Sequence, residues 1–449
     1  GVRGRGRGPA PVARRFVSGR GAMATTTLQP APAAASPVDL RAADGTPLKR
    51  KLERTTRLAR LRAFLLVAPL LAFIVISFLM PVGTLLWRGV SSPTFATYMP
   101  QTTAVLAEWD GREVPGEAAF AALAADLVAA RESRDIGKVA TRVNRELSGT
   151  RSLFTRSARR ADRIEAGPYK PALLGIDEDW GELELWRAMK VASWSVTPAF
   201  YLQSLDLQIE ADRGISRLPE ERQLHLSLFW RTLWMSGLIT FLCLLLGFPV
   251  AYLLANLPLK YSNLLMIFVL LPFWTSLLVR TTSWIALLQS QGVLNDVFVA
   301  FGLTADDQRL QLIYNQAGTI IAMTHILLPF MILPLYSVMK TIPPSYLRAA
   351  RSLGADQVTA FRRVYVPQTV PGIGAGSLLV FILAVGYYIT PALVGGQSGQ
   401  LISNIIAFHM ESTLNWNLAA ALGGILLVGV VLLYWTYNRL IGVDNIKLG

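Results

Sequence analysis

Few residues in this chain could do covalent chemistry, and none stands at catalytic spacing. The histidines are His225, His325 and His409, and the one cysteine is Cys243. No histidine joins a serine and an aspartate in a nucleophilic arrangement, and no His-Glu-x-x-His pair or Gly-x4-Gly-Lys-[Ser/Thr] phosphate loop occurs. A single cysteine allows neither an intramolecular disulfide nor a cysteine metal site, and is read as a small apolar packing residue. No catalytic residue, resident metal or bound cofactor is therefore expected, and the chain is not expected to be an enzyme. The chemistry left is non-covalent. Trp274, Trp284, Tyr387 and Tyr388 could hold a passing cation on their ring faces, or could anchor a membrane interface. Arg280 lies in an apolar stretch, where it either snorkels to the interface or faces a solute pathway. In a pathway it would repel a polycation and favour an anionic or zwitterionic solute. His325 is read as a hydrogen bond between helices; a proton relay would need an acidic partner, and the apolar stretches hold none.

A second constellation runs from Ser345 to Gly372. Ser345 can cap a short helix reaching about Leu353, Gly354 supplies the left-handed residue that ends it, and Asp356 can cap a second helix carrying Phe361. Ala349 and Ala350 keep one face small, so that another protein's groove can approach, and Ala355 belongs to the same loop. Pro367 and Pro371 are expected to stop the second helix and launch the apolar stretch that begins at Gly372. The product is a compact helical knob parallel to a membrane surface, built to be pushed rather than to react.

The elements that must position these residues follow from composition. The chain has 449 residues, 52% hydrophobic and 16% charged, and soluble domains carry about a quarter charged residues. Six stretches reach the length of about 20 apolar residues that a bilayer crossing needs: Ala63–Trp87, Thr232–Leu254, Leu264–Leu288, Ala317–Val338, Gly372–Val394 and Leu418–Tyr437. An all-α integral membrane fold with six transmembrane helices is expected, since lipid offers the backbone no hydrogen-bond partner. The net charge of +14 is concentrated at the start, where residues 1–62 hold fourteen Lys and Arg against three acids. Basic residues abutting a first span read as a cytoplasmic flank rather than as a nucleic-acid surface. The flanks put both termini, the 341–371 loop and the tail 441–449 on the cytoplasmic side of a membrane core spanning 227–440. Residues 88–226 fall outside as a helical insertion, with amphipathic runs at Glu117–Ala130 and Asp177–Trp194. That insertion is read as a structural elaboration in preference to a docking site. The Arg/Gly run before Met23 is read as upstream of the natural start, and residues 1–48 as disordered.

The spacing Ala349-Ala350, Gly354, Pro367, Pro371-Gly372 resembles the EAA loop of permease subunits in ABC importers, the cytoplasmic segment that docks onto the ATP-hydrolysing subunit. The sequence departs from that family at Arg348, where the motif has the Glu that would complete a capping box with Ser345. Leu271–Trp284, Gly292–Asn295, Leu328–Tyr336 and Thr390–Gly396 are similar to the spermidine/putrescine branch of these permeases. The resemblance implies a type I importer permease in the bacterial inner membrane, carrying a polyamine or, in related systems, amino acids and opines. It implies a second permease subunit forming a heterodimer, two ATPase subunits holding ATP and Mg, and an extracytoplasmic substrate-binding protein. Two other classes compete: an ion-driven secondary transporter, which would need intramembrane acids, and a membrane-tethered interaction protein acting through residues 88–226.

Overall fold

A computed structural model describes residues 48–164, 167–212 and 214–441. The expectations for the N-terminal tail up to residue 47, and for the tail after residue 441, lie outside the described residues. The chain divides into two compact units, Gly1–Ile76 and Ser77–Gly449. In the first, the helix Leu48–Ile74 contains Pro69 and continues into a π-helical turn at Val75–Leu79. Its apolar side chains, such as Leu66 and Phe64, are exposed, as lipid-facing residues are.

The second unit opens with the helix Met80–Arg88. Short helices then form a lobe, chief among them Pro100–Glu108, Glu117–Glu132, Ile136–Glu146, Thr150–Arg160 and Leu183–Ser193. Phe120, Leu123, Leu127, Phe154, Trp180 and Trp186 are buried in its centre. The Phe120 and Trp186 rings lie 4.8 Å apart at a tilt, and Phe154 meets Trp180 edge-on at 5.3 Å, geometries that add to plain area burial. Both indole N–H groups are used: Trp180 donates to Ser157 Oγ and Trp186 to the Trp180 carbonyl, each at 2.8 Å. Asp126, also buried, accepts the Thr102 N–H at 2.7 Å and so caps Pro100–Glu108 from a neighbouring helix; burial pushes its carboxyl above the usual range. The lobe is not purely helical. An antiparallel hairpin pairs Leu207–Ile209 with Ile215–Arg217, closed by the Gly214 N–H donating to Asp212 Oδ1.

Among the described residues, five helical runs are long and apolar enough to cross a membrane, or six if one bent pair counts as a span. His225–Asn256, Gln316–Thr341 and Val366–Gly386 pack around a shared core of Met235, Ile239, Met331, Leu335 and Val380. Glycine permits their approach: a Cβ at Gly247 would stand 3.1 Å from Met331 Cγ, and one at Gly376 would stand 2.8 Å from Met331 Sδ. Membrane helices pack closely where small residues let the backbones meet. Trp416–Ile441 closes the unit, and a smaller core of Phe200, Leu228, Ile402, Leu418 and Leu422 ties the lobe to it.

Two expected spans are broken. Leu264–Leu288 is not one helix: Leu259–Trp274 ends and Leu277–Leu288 begins across a 98° bend. Pro272 withholds a helical N–H, and the Thr275 hydroxyl takes the Pro272 carbonyl at 3.0 Å, ending the first segment. Gly372–Val394 is likewise interrupted after Gly386, with Ile389–Val394 a separate short helix. Ser403 Oγ and Asn404 Nδ2 donate to the carbonyls of Tyr387 and Tyr388 at 2.6 and 2.7 Å, holding the break open.

Candidate functional site

The segment from Pro344 to Tyr365 forms a hook. Its first helix is Pro344–Ser352, with Pro343 at the N-cap position. Proline at the first helical position needs no N–H partner, so the helix starts before Ser345. Ser345 is consequently inside the first turn and caps nothing, contrary to the sequence expectation. Arg348 becomes the fifth helical residue, exposed and past the turn where the dipole acts most strongly. The far end matches expectation. Gly354 has φ +92°, its N–H reaches the Arg351 carbonyl at 3.0 Å, and the Ala355 N–H reaches the Ala350 carbonyl at 3.1 Å. This is a Schellman stop, and it gives Ala350, Gly354 and Ala355 a shared structural role.

Asp356 then starts the second helix. Its carboxylate accepts the N–H groups of Val358 at 3.0 Å and Thr359 at 3.2 Å. The Thr359 hydroxyl and N–H hold the carboxyl below its ordinary range. Gln357–Ala360 passes through a π-helical turn at Phe361–Tyr365 directly into Val366–Gly386. Pro367 and Pro371 therefore do not stop the helix. The π turn absorbs the distortion, and Gln368 Nε2 and the Thr369 hydroxyl bind the carbonyls of Val364 and Val366, each at 2.7 Å. Gly372 is a packing residue, where a Cβ would stand 3.1 Å from Val338 Cβ.

An aromatic wedge fixes the hook to the bundle. Phe361 stacks on Tyr365 at 5.5 Å and meets Tyr252 edge-on at 5.4 Å, while Tyr252 and Tyr365 meet at 5.3 Å. The outer face carries residues that sequence reasoning passed over: Leu353 is 89% exposed, Val358 62% and Tyr346 50%. Arg348, Arg351, Arg362 and Arg363 are exposed on the same hook. Exposed apolar side chains and exposed guanidinium groups on one short hook can dock a protein surface and do no bond-making. Nothing in the sequence singles them out, because apolar residues are common throughout this chain.

The expected solute residues fall in three settings. Arg280 and Tyr387 line one cavity of about 80 Å³, with Phe273, Ile326, Pro329, Phe330 and Leu383. Arg280 Nε is buried without a hydrogen-bond partner. Trp284 donates its indole N–H to His325 Nδ1 at 3.1 Å, the helix-to-helix bond expected of that histidine. Trp274 and Tyr388 stand apart at 87% and 41% exposure. Among the described residues no group of three or more His, Cys, Asp or Glu could hold a metal ion.

Where lobe meets bundle, buried Asp206 (φ +55°) accepts N–H bonds from Leu224, His225 and Leu226 and contacts His225 Nδ1 at 2.9 Å. It thereby caps the 225–256 helix from outside. Nearby, burial, and then the charges of His225 and Arg145, press the His409 imidazole down to about 4. Arg145 itself is lowered to about 10, chiefly by burial, and donates to the Leu414 carbonyl at 3.1 Å.

Comparison with known proteins places these features in context. Residues 245–441 match the family of binding-protein-dependent transport system inner membrane components, a stretch that includes the hook and the cavity and omits the lobe. The chain is 38% identical to the spermidine/putrescine transport system permease protein PotB of Haemophilus influenzae, over 48% of this chain and 75% of that protein. It is 36% identical to PotB of Escherichia coli, over 49% and 80%. It is 32% identical to the inner membrane ABC transporter permease protein YdcU of E. coli, over 47% and 70%. Among solved structures it is similar to a bacterial alginate ABC transporter bound to an alginate pentasaccharide-loaded periplasmic protein (20% identity, TM-score 0.40, covering 48% and 78%). It is also similar to the inward-facing MetNI methionine ABC transporter (19% identity, TM-score 0.39, covering 50% and 98%).

Proposed function

The chain belongs to the binding-protein-dependent transport system inner membrane components, and from that premise we propose that it moves a small nitrogenous solute inward, driven by ATP hydrolysed on a separate subunit. One geometric observation carries the reading. The hook bears on Phe248 and Tyr252 near one end of the 225–256 helix, while Asp206 of the lobe caps its other end. From His225 to Phe248 the axis runs about 34 Å at 1.5 Å per residue, enough to put hook and lobe on opposite sides of a hydrocarbon layer about 30 Å thick. The arginines of the hook support a cytoplasmic position for it under the positive-inside rule, with the lobe and its flanking loops outside in this reading.

In this reading the exposed face of Leu353, Val358 and Tyr346 seats in an ATPase subunit. ATP closing a pair of such subunits displaces the hook, and Phe361 and Tyr365 pass the displacement to the bundle. Both conformations must exist, with ATP biasing one of them. A second permease subunit of different sequence and an external binding protein complete the assembly. ATP and Mg belong to the partner, and this chain needs no cofactor. The lobe serves as an elaboration of the outer face.

Polyamines are the cargo that the names of the similar permeases support. A second reading, an amine that also bears a carboxylate, is favoured by the unpaired Arg280 in its cavity. Uptake into vesicles carrying the assembled transporter separates the two readings: either labelled putrescine or labelled 4-aminobutyrate should accumulate, and only with internal ATP. Uptake that survives ATP depletion and collapses with the ion gradient would point instead to a secondary transporter.

A further inference from the structure

We infer that the cavity beside Arg280 is a binding site for a single carboxylate, and that the solute handled there carries that carboxylate together with its amine. The inference rests on the importer reading and narrows its cargo. A guanidinium keeps its charge at every physiological pH, so Arg280 must be met by an anion or by water. Its Nε is shut off from solvent with no acceptor, and no ion pair to Arg280 is present among the described residues. Beside it the cavity offers about 80 Å³, walled by Phe273, Phe330 and Tyr387. A planar guanidinium fork matches a carboxylate with two parallel N–H···O bonds. A doubly charged oxyanion would call for a second cation, and no other charged side chain lines the cavity. The aromatic side chains that line the cavity with Arg280 suit an ammonium group on the same molecule. A diamine, by contrast, brings only like charge to the guanidinium, a repulsive element of the kind that sets specificity.

The test uses the full chain in lipid nanodiscs and two probes of equal carbon count, 4-aminobutyrate and putrescine, with binding read by calorimetry or saturation-transfer NMR. The wild type should bind 4-aminobutyrate saturably and putrescine not at all. Arg280→Gln should weaken 4-aminobutyrate at least tenfold, and Arg280→Lys should fall between. Thermal melting checks the fold, and removing an unpaired charge should not lower the midpoint. Equal binding of 4-aminobutyrate by wild type and Arg280→Gln, or displacement by equimolar putrescine, overturns the inference. ATP-dependent uptake by the assembled transporter is measured alongside. Uptake that needs ATP, combined with binding indifferent to residue 280, rejects the site alone. Arg280-dependent binding without ATP-driven uptake of any solute rejects the importer reading and leaves the site standing.

Discussion

Asp356 illustrates how one side chain sets the shape of the hook. Its two N–H bonds begin the second helix directly after the left-handed Gly354 has ended the first. Asp356→Ala should cost that helix about 1 kcal/mol, the usual worth of an N-cap, and lower ATP-driven uptake severalfold without changing the global melting temperature. Asp356→Asn, which keeps an acceptor, should restore most of the rate. Equal uptake by wild type and Asp356→Ala would show that hook geometry is irrelevant to transport. Gly354 and Asp356 were legible in the sequence because turn chemistry is local. Ser345 lies inside the first turn because Pro343 and Pro344 set the helix start two residues before the one its hydroxyl suggests. Arg280 could be named as unusual, but only the folded bundle brings it to Tyr387, a residue 107 positions further along, at one cavity.

Elements turn these local choices into coupling. The Phe361–Tyr365 π turn joins the second helix of the hook to the 366–386 helix as one continuous run, and Tyr252 packs against it as the bearing of the proposed motion. A double-mutant cycle on Phe361→Leu and Tyr252→Leu should give a coupling energy of about 0.5–1.5 kcal/mol in thermal unfolding. A value near zero would remove the bearing. Apolar periodicity revealed the long helices, yet it could not show the 98° bend, where the Thr275 hydroxyl and N–H both donate to the Pro272 carbonyl at the end of the first segment. The junction between lobe and bundle carries its own pH signature. His409 in the fold is held down to about 4 by burial and by His225 and Arg145, against about 6.5 in an unfolded chain. A depressed histidine contributes stability above the unfolded value, and that stability drains as pH falls from about 6.5 toward 4. Melting temperature should decline over that window in the wild type and decline less in His409→Gln; parallel profiles would exclude His409 as the cause.

At the scale of the molecule, a lobe with its own aromatic core and a basic hook occupy the two ends of one helical bundle. Composition alone indicated the membrane class, since a low share of charge and long apolar runs leave few alternatives. The hairpin in the lobe was not legible, being three residues per strand and dependent on the Asp212–Gly214 turn. Trp186→Ala should cost the lobe about 3–5 kcal/mol while leaving ATPase association intact, if lobe and hook are energetically separate. Loss of ATPase association in that variant would show that the two ends are not independent. The most direct test of the account is a photo-crosslinker placed at Leu353, the most exposed apolar residue of the hook, in membranes containing the assembled transporter. The account predicts an adduct with the ATPase subunit whose yield changes when ATP is added. An adduct confined to lipid or to an external protein, or labelling of position 353 by an impermeant reagent from outside, would contradict it.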